Sequence, residues 1–146
     1  MSQSPQNSIV GTWKLVSWEN RTADGQVSYP FGKDAIGSIL YSADGYMSVA
    51  IMTANRPNFV GGDILGGTLE EKAAAMETYI SYGGRYELQE GSVTHYIEVT
   101  LFPNWVGVQQ KRFFKFEGNQ LLLSTPPILQ QGQEQTGHLI WQRVEA

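Results

Sequence analysis

The chain contains no cysteine, so it has neither a disulfide nor a thiolate nucleophile, and a reducing compartment suits it. No apolar run approaches the roughly 18 residues that a membrane-spanning helix needs. Positive charge is scarce, with ten Lys and Arg against fourteen Asp and Glu, for a formal net charge of −4. The basic residues are scattered, so the cationic stripe that neutralises nucleic acid phosphates is missing. Residues 1–8 are polar and lack the basic leader and apolar core of a secretion signal. They read as a flexible N-terminal segment, followed by one domain over residues 9–146. The expected location is the cytoplasm, and neither nucleic acid nor membrane is expected as a partner.

What the chain does have is glycine and aromatics: sixteen Gly, seven Tyr, six Phe and four Trp. Aromatic and β-branched segments punctuated by glycine predict strands joined by tight turns. Such segments occupy residues 10–20, 36–42, 46–53, 82–89, 93–102, 108–116, 120–125 and 138–144. The turns at Ala43-Asp44-Gly45, Glu90-Gly91 and Gly118-Asn119 are hairpin signals. About eight strands is the usual number for a small up-and-down barrel able to hold one ligand. If strands alternate in direction, these short turns share one end and the long connections share the other. The expected shape is a cup, with function at its open mouth.

One helix is expected between the third and fourth strands, at the open end. Thr68-Leu69-Glu70-Glu71 forms a capping box, and Leu69, Ala73, Met76 and Ile80 recur at helical spacing until Gly83-Gly84. The stripe is expected to pack on the barrel as part of a lid, a commoner use of such a face than binding a partner.

Period-two alternation assigns strand faces. Val93, His95, Ile97, Val99 and Leu101 share the apolar, inward face of their strand. Val108, Gln110, Arg112, Phe114 and Phe116 face inward on the next. The Glu90-Gly91 turn makes Tyr86 and His95 cross-strand neighbours, within reach of hydrogen bonding. The Gly118-Asn119 turn sets Thr125 opposite Arg112. The faces of Tyr41, Tyr46 and Ser48 stay unassigned, because both sides of their strands are mixed.

The first strand carries Gly11-Thr12-Trp13 and the last carries Trp141 and Arg143. In an up-and-down barrel the two ends of the chain meet at the tight end, where Trp13 can plug the floor and Arg143 can stack on it. This G-x-W with a late Arg resembles the shared signature of lipocalins and related calycins. The stretches GTWKLVSWE, PFGKDAIGSILYSADGYMSVAIM, SYGGRYELQ, THYIEVTLFPNWVGVQQKRFFKF and HLIWQR are similar to a family of small, non-secreted bacterial and fungal lipocalin-like domains. The likeness spans nearly the whole chain. It implies an all-β calycin barrel, and a hydrophobic ligand or an intermediate of small-molecule metabolism. Secreted lipocalins differ in carrying a signal, disulfide cysteines and a C-terminal helix.

The expected function is binding of a small hydrophobic molecule bearing a polar or acidic group. Ile97, Val99, Leu101, Phe114 and Phe116 would supply apolar wall, Tyr86, His95, Gln110, Arg112 and Thr125 would orient the polar end, and Trp105 would stand at the mouth. Trp13 and Arg143 would be structural. No metal is expected, since His95 and His138 lie on different strands with no acidic or thiol cluster, and no cofactor motif is present. The rival expectation is a cofactor-free isomerase, cyclase or dehydratase using His95 and Tyr86. A third is a self-packed barrel acting through its surface. The chain would be a monomer or a homodimer.

Overall fold

Alternating apolar and polar residues, interrupted at glycine turns, build ten strands in the computed structural model, which describes residues 8–130 and 132–145. Of the expected N-terminal segment only Ser8 is among the described residues. In chain order the elements are β1 (Gly11–Thr22), β2 (Val27–Ser28), β3 (Ile36–Tyr41), β4 (Tyr46–Met52), α1 (Leu69–Glu77), β5 (Tyr79–Gln89), β6 (Ser92–Thr100), a 3-10 turn (Pro103–Trp105), β7 (Gln109–Glu117), β8 (Gln120–Ser124), β9 (Ile128–Gln130) and β10 (Gln133–Arg143).

Eight of these close into an antiparallel barrel: β1, β3 to β8, and β10, which returns to pair with β1. Closure leaves the barrel no free edge. The short β2 and β9 extend it at the open end, pairing with β1 and β10. Because β2 adds to the strand count, the helix falls between β4 and β5. No helix among the described residues is long and apolar enough to cross a membrane.

The capping box forms as the spacing predicts, with Thr68 Oγ1 accepting from the Glu71 amide at 3.0 Å and the Glu71 carboxylate accepting from the Thr68 amide at 2.9 Å. The helix departs from expectation in two respects. It ends at Thr78 rather than at Gly83-Gly84. Arg56 reaches across to donate to the Ala75 carbonyl (2.9 Å) and Thr78 Oγ1 (3.0 Å), and Thr78 Oγ1 donates to the Ala74 carbonyl (2.7 Å), so the last-turn carbonyls are answered without a glycine cap. Its apolar stripe is also not packed on the barrel: no helix residue is buried, and Leu69 is 86% exposed. Ile80, the last member of that stripe, belongs to β5.

Gly83 and Gly84 instead sit in β5 where strands crowd. A Cβ on Gly84 would lie 1.9 Å from the Tyr96 carbonyl oxygen. Gly84 pairs with Ile97 while Gly83 pairs with Val99, leaving Glu98 as an extra residue, a β-bulge.

The core gathers at the tight end around Trp13, Ile39, Tyr41, Val93, Leu121 and Trp141, each at most 2% exposed. Trp13 donates its indole N–H to the Ile9 carbonyl at 2.9 Å, and the Arg143 guanidinium lies 4.1 Å above its ring. Arg143 also donates to the carbonyls of Val10 (3.1 Å) and Ser8. Gly11 is required beneath it, since its φ is +138° and a Cβ there would meet Arg143 Nη1 at 3.0 Å.

Candidate functional site

Above this floor the barrel encloses a cavity of about 480 Å³. Its walls are largely apolar: Ile39, Val49, Ile51 and Ile80 on one side, Leu123, Leu139 and Trp141 on the other, with Trp18, Phe102, Trp105, Ile128 and Leu129 toward the mouth. The polar lining is small, comprising Tyr82, His95, Gln110, Arg112, Thr125 and Gln130. Among the described residues no Asp or Glu lines it, and Arg112 is the one charged residue that does.

His95 is 1% exposed and is held by two phenols, Tyr41 OH at 2.6 Å from Nε2 and Tyr82 OH at 2.8 Å from Nδ1. Burial, reinforced by the nearby positive charge of Arg112, pushes its pKa down to about 3. The ring is therefore neutral across the physiological range, with one nitrogen a donor and the other an acceptor. Burial raises both tyrosines; in Tyr82 it is opposed by the adjacent Arg112 guanidinium. Arg112 itself donates to the Lys111 carbonyl (3.1 Å) and to the Gln110 amide oxygen. Among the described residues no carboxylate pairs with it.

The residues expected at the site divide into two groups. His95, Trp105, Gln110, Arg112 and Thr125 line the cavity. The β7–β8 ladder runs to Phe113↔Ser124, which sets Arg112 and Thr125 side by side one step beyond it. Trp105 stands at the mouth with its ring edge-on to Tyr82 (5.7 Å) and Phe102 (5.4 Å). Ile97 is buried in the core, and Phe114 packs on Phe116 (5.6 Å) within the core rather than on the cavity wall.

Val99 and Leu101 do not face the lumen. Val99 is 74% exposed and half-buried Leu101 is not part of the wall. The bulge at Glu98 advances the alternation by one, so Thr100 stands opposite inward-facing Tyr82 and Phe102 reaches the cavity. Tyr86 pairs with His95 in register, but its hydroxyl donates to the Ser42 carbonyl at 2.7 Å and does not bond the histidine. A phenol hydroxyl lies far beyond its own Cβ, so Cβ proximity does not decide where it bonds. The helix, expected as part of a lid, contributes nothing to the cavity wall.

Absent from the residues expected at the site are both phenol partners of His95, Gln130 in the polar lining and most of the apolar wall. Tyr82 shares the face of Tyr86 four positions along β5, so alternation puts it on the inner face without showing that it bonds His95. Tyr41 could not be placed, because its inward face is decided by the register of β3 against β4 and β1.

A family model described as a lipocalin-like domain matches residues 10–144. The 4'-hydroxy-3'-methoxypropiophenone carrier protein ppsC of Aspergillus oryzae is 35% identical over 107 residues, 67% of this chain and 96% of that protein. Among solved structures, a mutant of the fluorescent protein UnaG aligns over 92% of this chain and 95% of its own, with 12% identity and a TM-score of 0.39. A closed barrel plugged by Trp13 under Arg143, matched nearly from end to end by the family model, means that the chain belongs to the lipocalin-like domain family.

Proposed function

We propose that the barrel binds, without altering it, a small hydrophobic molecule with a polar or acidic oxygen, the apolar body against Ile51, Leu123 and Leu139 and the oxygen toward Tyr82 and Arg112. The observation that carries this reading is an apolar cavity of about 480 Å³ whose single charged residue has, among the described residues, no carboxylate partner. That volume is in the range of small-molecule sites and argues against a self-packed barrel. A guanidinium in such surroundings is costly unless something answers its charge. The relative in Aspergillus oryzae is named as a carrier of an aryl ketone, a flat apolar ring with oxygens at its periphery, which suits these walls.

The same geometry disfavours the isomerase, cyclase or dehydratase alternative. Both ring nitrogens of His95 are engaged by tyrosines, its basicity is strongly suppressed, and the Tyr86 hydroxyl is turned away from the cavity. Neither group is poised to take a proton from a bound molecule.

Equilibrium dialysis with 4'-hydroxy-3'-methoxypropiophenone tests the proposal. The expected result is a one-to-one complex from which the compound is recovered unchanged. Leu139→Trp, which fills the lumen, should weaken it by about tenfold or more while the circular dichroism keeps its β signature. Equal binding by both proteins would place the compound outside the barrel.

A further inference from the structure

The Tyr41–His95–Tyr82 chain has a direction, and that direction states what the cavity wants. Tyr41 is 2% exposed, and among the described residues its hydroxyl has one hydrogen-bond partner, His95 Nε2. If Nε2 carried the proton, Tyr41 would accept it and its own O–H would be left buried with no acceptor. If Nε2 is bare, Tyr41 donates to it and every proton is placed. The second arrangement avoids a buried unsatisfied donor, so Nε2 accepts and Nδ1 carries the hydrogen. Nδ1–H then donates to the Tyr82 oxygen at 2.8 Å. Tyr82 is left with its own O–H to give, and it is the member of the chain, besides His95, that lines the cavity.

The rest of the polar lining points the same way. The Gln110 amide oxygen is taken by Arg112, Thr125 Oγ1 by the Gly137 amide at 2.8 Å, and the Gln130 amide oxygen by Asn20. Each of these side-chain acceptors already takes one hydrogen bond, while several donors have none: Tyr82 O–H, the Gln110 amide N–H groups, and the buried Trp141 indole N–H, which has no partner among the described residues. A cation would meet the Arg112 charge, and a molecule with only donors would leave these donors unanswered. Arg112 already spends N–H groups on Gln110 and the Lys111 carbonyl. A localised carboxylate would give up much hydration for few contacts here. A charge spread over a conjugated ring gives up less.

We propose that the lumen selects a conjugated oxyanion, an apolar ring bearing a phenolate or enolate oxygen, held between the Tyr82 O–H and the Arg112 guanidinium. Tyr41 and His95 are positioning residues that fix the direction in which Tyr82 donates. The inference rests on the binding function proposed above and adds the ionisation state of what is bound.

The titratable and charged groups lining the site are Tyr82 from β5, His95 from β6 and Arg112 from β7, with Tyr41 from β3 bonded to His95 and, among the described residues, no carboxylate in the lining. Neither His95 nor either tyrosine changes charge between about pH 5 and about pH 9, since His95 titrates near 3 and burial raises both tyrosines. Any pH dependence of binding in that window belongs to the ligand.

The test uses 4'-hydroxy-3'-methoxypropiophenone, whose phenolate absorbs at longer wavelength than its phenol, beside its phenol methyl ether, which cannot ionise. Bound to the intact protein, the phenol should ionise about one pH unit or more below its free value, equivalent to about tenfold tighter binding of the anion. The methyl ether should bind with no pH dependence. Tyr82→Phe and Arg112→Leu should each remove most of the displacement. Tyr41→Phe frees the histidine to reverse its tautomer, so it should shrink the displacement while the methyl ether's affinity moves less than about twofold. An unshifted ionisation with both probes binding alike would overturn the inference and leave the binding function standing. Failure of both probes to bind would overturn the binding function and the inference with it. Equal loss of both probes in Tyr41→Phe would overturn the positioning role.

Discussion

A histidine enclosed in protein loses the hydration that supports its charged form, and His95 has no carboxylate nearby to compensate. Its pKa falls from an ordinary value of 6.5 to about 3. Between those values the unfolded chain binds a proton that the folded chain does not. Stability from this residue is thus fully present above about pH 6.5 and lost as pH falls toward 3, amounting to about 3 kcal/mol by about pH 4. His95→Gln keeps a donor and an acceptor but cannot titrate. Urea denaturation at about pH 7 and about pH 4 should therefore show a smaller acid loss in the variant than in the parent. Equal losses would mean that the histidine is not held neutral. That His95 faces inward was legible from one strand's alternation. Its phenol partners were not, because they come from strands 54 and 13 residues away.

Among the elements, the β5–β6 hairpin departs most from simple alternation. Its turn is where Glu90-Gly91 predicts, and the register holds from Gln89↔Ser92 to Tyr86↔His95 and on to Gly84↔Ile97. Beyond Ile97 the bulge at Glu98 reverses the faces, sending Val99 outward and bringing Phe102 to the cavity. A bulge has no residue signature as sharp as a turn. The adjacent Gly83-Gly84 pair reads equally well as a helix stop, and only the closeness of the Tyr96 carbonyl shows why glycine is needed. Gly84→Ala should destabilise the barrel by about 1–3 kcal/mol, since the clash is with backbone that cannot rotate away. Gly61→Ala, where a Cβ would meet nothing within 4 Å, should change stability by less than about 0.5 kcal/mol. The two unfolding midpoints measured side by side decide the matter, and a harmless Gly84→Ala would mean that the bulge relaxes freely. Helix α1 teaches the same caution: its capping box was readable, but helical spacing of Leu69, Ala73 and Met76 did not bury them.

For the whole molecule, closure is the property on which the cavity depends, and the seam is β1 against β10, nine paired positions from Trp13↔Arg143 to Thr22↔Gln135. Arg143 fastens that seam to the chain's beginning through the Trp13 ring and the Val10 and Ser8 carbonyls. Arg143→Leu should cost about 1–3 kcal/mol by removing a cation–π contact and leaving carbonyls unanswered. Because Arg143 is not part of the cavity wall, ligand affinity of the folded fraction should stay within about twofold of the parent. A large fall in affinity without loss of stability would move Arg143 from the floor to the site.

Residue order by itself determined the turns, the number of barrel strands, the G-x-W floor with its arginine, and the inward face of His95 and Arg112. The turns, the strand count and the inward faces follow from neighbours a few positions apart, and the floor follows from the two ends of an up-and-down barrel meeting. Tertiary structure alone decided which tyrosines hold His95, that Val99 and Leu101 leave the lumen, and that the helix stays off the barrel. These depend on the reach of long side chains and on one inserted residue between strands, which no local spacing encodes.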